Sequence, residues 1–274
     1  MLFRSYASRS GFLTSPTTGG GSWFAHATLL SGLWINNQQR YKALVASDRL
    51  TLGSAFKQAD WQTVGVMPAV TRSWPERRFF GYDRVYSKDN LGYRGPKFGF
   101  AAAPDQYALE NFQRTEHAKP DRGPLMAEIE LVSSHAPWPP TPDVLNWASI
   151  GDGSAAFAGK AAPGDGAGMI GDAKRVRAAY VESIEYSLRT LISYVETYGD
   201  DDLVLVFLGD HEPLPIVTGG TASWDVPITI VARDRAILDR TAGWGWQDGL
   251  KPGPQAPVWR MNEFRDRFLT AFGQ

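Results

Sequence analysis

A chain of 274 residues with 43% hydrophobic side chains can bury one large core, or one core and a small appendage. Its 28 basic and 29 acidic residues leave a formal net charge of −1, which gives no electrostatic case for a nucleic-acid binder. Any anionic ligand must therefore be attracted locally, by a metal or a few placed cations. The absence of cysteine excludes disulfide frameworks, thiolate zinc sites and cysteine nucleophiles, and leaves the compartment open.

The opening MLFRSYASRSGFL is broken by Arg4 and Arg9, and no apolar run approaches ~20 residues, so nothing reads as a signal-peptide core or a spanning helix. Gly19-Gly20-Gly21 then run into a helix that starts at Ser22, carries Leu29 and Leu30, and stops at Gly32. Free backbone N–H groups and the helix dipole favour an anion at such a start. A serine there, also touching a metal, fits a nucleophile; taken by itself it reads as an ordinary N-cap. Leu50 to Ala59 forms a short helix, and Trp61 to Met67 a strand closed by Pro68. Arg72 to Phe100 is irregular and dense in aromatics and arginine.

Asp105 to Arg114 is another helix, and Met126 to Val132 a strand that ends in Ser133-Ser134-His135. His135 is placed to hydrogen-bond or protonate a phosphate-like oxygen, or simply to pack on Trp138. Gly151 to Gly168 has the composition of a surface loop. Tyr180, Ile184, Leu188, Leu191 and Val195 recur at helical spacing and predict one apolar face of a long helix. Leu203 to Leu208 is a continuous apolar run, expected to be a strand buried on both faces. Directly after it comes Gly209-Asp210-His211-Glu212-Pro213. An Asp beside a neutral imidazole supplies one oxygen and one nitrogen ligand for a divalent cation, at the strand end where α/β proteins place their sites. His135, after its own strand, is expected on the same sheet edge. Pro227 to Ala232 is a further strand, and Glu263 to Phe272 a closing helix. The alternation predicts an α/β fold with a mostly parallel central sheet.

Together the Ser22 helix, the segment TLGSAFKQADWQTVGV, the aromatic loop, SSHAPW and FLGDHEP resemble the alkaline phosphatase/sulfatase superfamily, in that order over nearly the whole chain. The likeness is to its membrane-anchored branch, the lipoteichoic acid synthase and phosphoethanolamine transferase types. It implies a mostly parallel sheet with helices on both faces in one catalytic domain spanning 1–274. It also implies phosphoryl or sulfuryl transfer on phosphate or sulfate esters, with cell-envelope, lipid- or glycan-linked substrates and an extracytoplasmic domain. By that resemblance Asp210, His211 and Ser22 hold one divalent cation (Mn, Mg or Zn), and Ser22 is the nucleophile. His135 contacts the transferred group, and Trp74 and Arg77 contact substrate. Phe24 and His26 stand where sulfatases carry the proline and arginine that guide formylglycine formation, so unmodified Ser22 is the expected form. Thr17 and Thr18 are rival nucleophiles, since the anchored relatives use threonine.

The family's first acidic ligand lies at the end of its first strand. The twenty-one residues before Ser22 contain no Asp or Glu. The expectation is a C-terminal catalytic fragment lacking that strand and a membrane region; the alternative is an inactive, sulfatase-like binding domain. An α/β hydrolase is disfavoured because Gly20-Gly21-Ser22-Trp23-Phe24 lacks the second glycine of a nucleophile elbow. The ten tryptophans fit a lipid- or glycan-facing cleft and ordinary packing alike.

Overall fold

The computed structural model describes residues 5–160, 172–220 and 223–273, and divides into two units, Met1–Ala55 with Gly199–Gln274, and Phe56–Tyr198. In chain order the elements are β1 (Ala7–Thr14), α1 (Ser22–Ser31), α2 (Gln38–Val45), α3 (Leu52–Gln58), β2 (Gln62–Met67) and β3 (Arg84–Ser87). Then follow α4 (Asp105–Phe112), β4 (Leu125–Ile129), α5 (Ala173–Tyr198), β5 (Val204–Leu208), α6 (Pro215–Thr218) and β6 (Asp225–Ala232). The chain closes with α7 (Arg235–Asp239), β7 (Gln247–Asp248), β8 (Val258–Arg260) and α8 (Phe264–Phe272).

The first unit is built on a five-stranded sheet of order β5-β6-β1-β7, with β8 also paired to β1. β6 is its most buried strand, with Ile228, Ile230 and Val231 fully enclosed. β1 and β5 both run antiparallel to β6, so they end at the same edge: Thr14 lies opposite Asp225 and Leu208 opposite Ile228. The mostly parallel sheet expected from the strand–helix alternation is not found here, since only β8 runs parallel to its neighbour. Alternation fixes which segments are strands but not their direction. The Leu203 run is also not buried on both faces: β5 is an edge strand with part-exposed residues. A continuous apolar run cannot distinguish those situations. Ser8, Arg9 and Ser10 interrupt the apolar pattern of β1, which leaves it without a strand signature in the sequence. The structure satisfies two of them: Ser10 Oγ pairs with Thr229 Oγ1 at 2.8 Å inside the sheet, and Arg9 Nη1 donates to the Leu238 carbonyl. Trp244, Trp246 and Trp259 pack edge-on or tilted against one another at 4.9–5.3 Å, so these three tryptophans are core.

The second unit holds a three-stranded parallel sheet, β3-β2-β4, matching the predicted Trp61 and Met126 strands. Its core gathers Val64, Val66, Met67, Tyr107, Phe157 and Tyr186. The predicted long helix is α5, but its buried face differs from the one read. Leu188 is 40% exposed, while Ser183, Tyr186, Ser187 and Thr190 are buried beside Leu191 and Val195. The apolar spacing was misleading because buried hydroxyls, not Leu188, meet the interior. Residues 151–160 form turns; the remainder of the predicted Gly151–Gly168 loop lies outside the described residues. No described helix is long and apolar enough to cross a membrane.

Candidate functional site

Two chain segments leave the same edge of the five-stranded sheet, one after β1 and one after β5, and a small set of bonds zips them together. Buried Ser15 donates its hydroxyl to the Asp210 carbonyl at 2.7 Å, and its N–H bonds the Trp224 carbonyl at 2.9 Å. Thr18 forms an isolated parallel bridge to Glu212. The Glu212 carbonyl then accepts two bonds, from Gly19 N–H at 2.8 Å and from His211 Nδ1 at 2.7 Å. One oxygen thus fixes both the entry to the glycine run and the histidine ring.

The three glycines make the turn into α1. Gly19, Gly20 and Gly21 have φ values of 67°, 151° and 81°. At Gly21 a Cβ would also lie 3.0 Å from Thr17 Oγ1 and 3.2 Å from Phe24, so a side chain there is strained by the backbone and crowded by its neighbours. Gly21 is the N-cap and Ser22 the first helical residue. Ser22 is therefore not the N-cap that its place after the glycines allowed, and its Oγ lies 3.3 Å from His211 Nε2. Gly32 ends the helix in the left-handed conformation, as its position predicted, with its N–H on the Thr28 carbonyl at 3.1 Å.

A carbonyl only accepts, so His211 Nδ1 must carry the proton that bonds Glu212. In the neutral ring Nε2 then presents a lone pair. That nitrogen lies 3.3 Å from Ser22 Oγ and 3.4 Å from Asp210 Oδ2. Ligand bonds of about 2.0–2.2 Å place neighbouring donor atoms roughly 3.0–3.5 Å apart, so His211 stands at ligand spacing from each of the other two, with its Nδ1 held by a carbonyl as a metal-binding imidazole's is. Among the described residues no group of three or more His, Asp or Glu side chains adds to these three. No carboxylate stands in the first turn of α1 to compete for an anion.

The rival threonines are engaged differently. Thr17 Oγ1 donates to the Gly20 carbonyl at 2.5 Å, closing the glycine turn, and Thr18 is held by its bridge. Ser15, the tether of Asp210, has no signature in the sequence, since the strand before it has none.

His135, Trp74 and Arg77 belong to the second unit. His135 follows β4, in the three-stranded sheet, and so is not on the edge of the sheet that carries Asp210, as had been expected. It is exposed, stacks on Phe100 at 3.8 Å and bonds the Ala136 carbonyl through Nδ1 at 2.5 Å. Trp74 precedes the 3₁₀ turn Pro75–Arg78 and packs on Phe80 and Tyr82 at 5.6 and 6.1 Å. Arg77 is half-buried in that turn.

No protein-family profile matches the sequence, and no curated protein matches it. Solved structures do. The lipoteichoic acid synthase LtaP of Listeria monocytogenes matches over 96% of this chain and 63% of its own, with TM-score 0.59 and 15% identity. The Streptococcus pyogenes phosphoglycerol transferase GacH, solved with sn-glycerol-1-phosphate, matches over 96% and 64%, with TM-score 0.59 and 12% identity. An alkaline phosphatase superfamily protein of Vibrio parahaemolyticus matches over 82% and 52%, with TM-score 0.52 and 16% identity. The chain thus spans between half and two thirds of the length of these structures. At 12–16% identity the likeness is one of fold, and the chain shares the architecture of these structures.

Proposed function

We propose that this chain transfers a phosphoryl group from a phosphate ester through a covalent intermediate on Ser22. The observation that carries the reading is the place of His211 Nε2, 3.3 Å from Ser22 Oγ at the start of α1 and 3.4 Å from Asp210 Oδ2. Phosphoryl rather than sulfuryl transfer is preferred because the similar structures include a phosphoglycerol transferase bound to a phosphate ester.

Ser22 Oγ attacks phosphorus in line, the ester oxygen leaves, and the group stays on Ser22 until water or an acceptor hydroxyl takes it. The N-terminus of α1 stabilises charge on the phosphoryl oxygens. Asp210, His211 and Ser22 would hold one divalent cation (Mn, Mg or Zn), which supplies Lewis-acid polarisation. His135 as a hydrogen-bond donor to the transferred group, and Trp74 and Arg77 as substrate contacts, are part of the proposal, as are a cell-envelope substrate and membrane anchoring of a longer protein.

The test is turnover of a p-nitrophenyl phosphate ester with added Mn²⁺, Mg²⁺ or Zn²⁺, followed by mass spectrometry of the quenched enzyme. Cation-dependent release with phosphate on the Ser22 peptide is expected. Activity that survives EDTA, or a label elsewhere, overturns the reading. A second reading, a binding domain without turnover, draws on the lack of a third acidic or imidazole ligand among the described residues. It predicts anion binding with no labelled serine.

A further inference from the structure

One of the two most buried carboxylates in the second unit belongs to no function described so far. Asp105, the first residue of α4, is 1% exposed. Its Oδ1 accepts the N–H groups of Val132 at 2.7 Å and Ser133 at 2.8 Å, and its Oδ2 accepts the Ser187 hydroxyl of α5 at 2.5 Å. The Asp105 N–H in turn donates to Ser133 Oγ at 3.0 Å. Val132 and Ser133 lie beyond β4, which ends at Ile129, so the sheet ladder does not hold them. Val132 also starts the turn that carries His135, whose N–H bonds the Val132 carbonyl at 3.0 Å. Burial pushes the Asp105 carboxyl up, and the bonds from Ser187, Ser133 and Val132 oppose that rise. A group so costly to bury needs all its bonds made.

We infer that Asp105 is a positioning residue, a buried anchor that ties the His135 turn to α4 and α5 and so sets the place of the His135 imidazole. Its effect on turnover, though not on geometry, rests on the role proposed for His135. A carboxylate is suited to this because one oxygen takes two converging N–H groups while the other stays free for a hydroxyl. The Ser187 contact also gives one of the buried hydroxyls of α5 its partner.

Three measurements on the whole chain test the anchor. In the unaltered protein the Val132 and Ser133 amides should exchange ~100-fold or more slowly than unstructured ones, though they lie outside any ladder. The four histidines can be assigned by substitution, and His135, stacked on Phe100, should show upfield-shifted ring protons. Asp105→Asn keeps one oxygen for both N–H groups and should retain the protection and the shift. Asp105→Leu, if folded by circular dichroism, should lose both and lower kcat on a p-nitrophenyl phosphate ester about tenfold. Unprotected Val132 and Ser133 amides, or a folded Asp105→Leu with the His135 shift intact, overturn the inference. If Asp105→Leu does not fold, the amide exchange of the unaltered protein decides alone. A fully active His135→Gln would instead remove the proposed role of His135 and leave the anchor to be judged by exchange and ring shift.

Discussion

At the scale of single residues, the Glu212 carbonyl decides the chemistry open to His211. Because it takes the Nδ1 proton, Nε2 is the ring nitrogen left to face Ser22 Oγ. Thr17, five residues earlier, spends its hydroxyl on the Gly20 carbonyl and has no such neighbour. Ser22→Ala should therefore lower kcat roughly 10³-fold or more, whereas Thr17→Val should cost less than about tenfold and act through the turn it closes. Steady-state kinetics on a p-nitrophenyl phosphate ester separate them; the reverse order would move the nucleophile to Thr17. A strand end and a glycine run single out Asp210, His211 and Ser22 one by one in the sequence, but only the family resemblance joins them as one set. The sequence could not show that Ser15 and the Glu212 backbone hold the set together. Backbone acceptors leave no trace in side-chain identity, and Ser15 is one of many serines.

At the scale of elements, α1 is aimed by the turn before it. Gly21 occupies the left-handed region at φ 81° with Thr17 and Phe24 closing on the place a Cβ would take. Gly21→Ala should cost about 1–2 kcal/mol of stability, and more in activity, since relief of the strain rotates Ser22 away from His211. Urea unfolding paired with kcat tests this: a variant that loses neither would show that the turn does not set the serine. Helices and strands with strong periodicity, such as α5 and β6, were legible in the sequence. The inner face of α5 was not, because Ser183, Ser187 and Thr190 read as solvent-facing until Asp105 is known to lie beneath Ser187. A buried carboxylate and its donors come from distant segments, and no window along the chain contains both.

At the scale of the whole molecule, the two units should answer to different variables. In the second, Glu116 is enclosed by Arg84, Tyr86 and Lys119, with both Arg84 bonds at 2.8 Å and that of Lys119 at 2.9 Å. Burial would push its carboxyl up, but these bonds outweigh it and hold it below the ordinary glutamate range. A lowered folded pKa contributes stability above the unfolded value of about 4.3 and loses it as pH falls through the folded one. Glu116→Gln should cost roughly 2–3 kcal/mol at pH 7, an advantage that fades in urea titrations below about pH 4. The strand directions behind these units were the part of the fold least open to sequence, since a β5 running antiparallel to β6 and one in a parallel sheet share the same apolar run. The first unit, by contrast, should respond to cations. A ligand that binds only the folded state at 100 times its Kd adds about 2.7 kcal/mol, a rise in Tm of roughly 5–10 °C for a unit of this size. Asp210 and His211 come from one segment and Ser22 from another, so binding there joins the β1 and β5 exits and must report on the fold of that unit. Mn²⁺ or Zn²⁺ should raise the Tm of the unaltered protein but not of Asp210→Asn or His211→Gln, measured by calorimetry with no substrate present. An equal rise in those variants would place the cation elsewhere, and no rise at any concentration would leave Ser22 and His211 as a hydrogen-bonded pair without a metal.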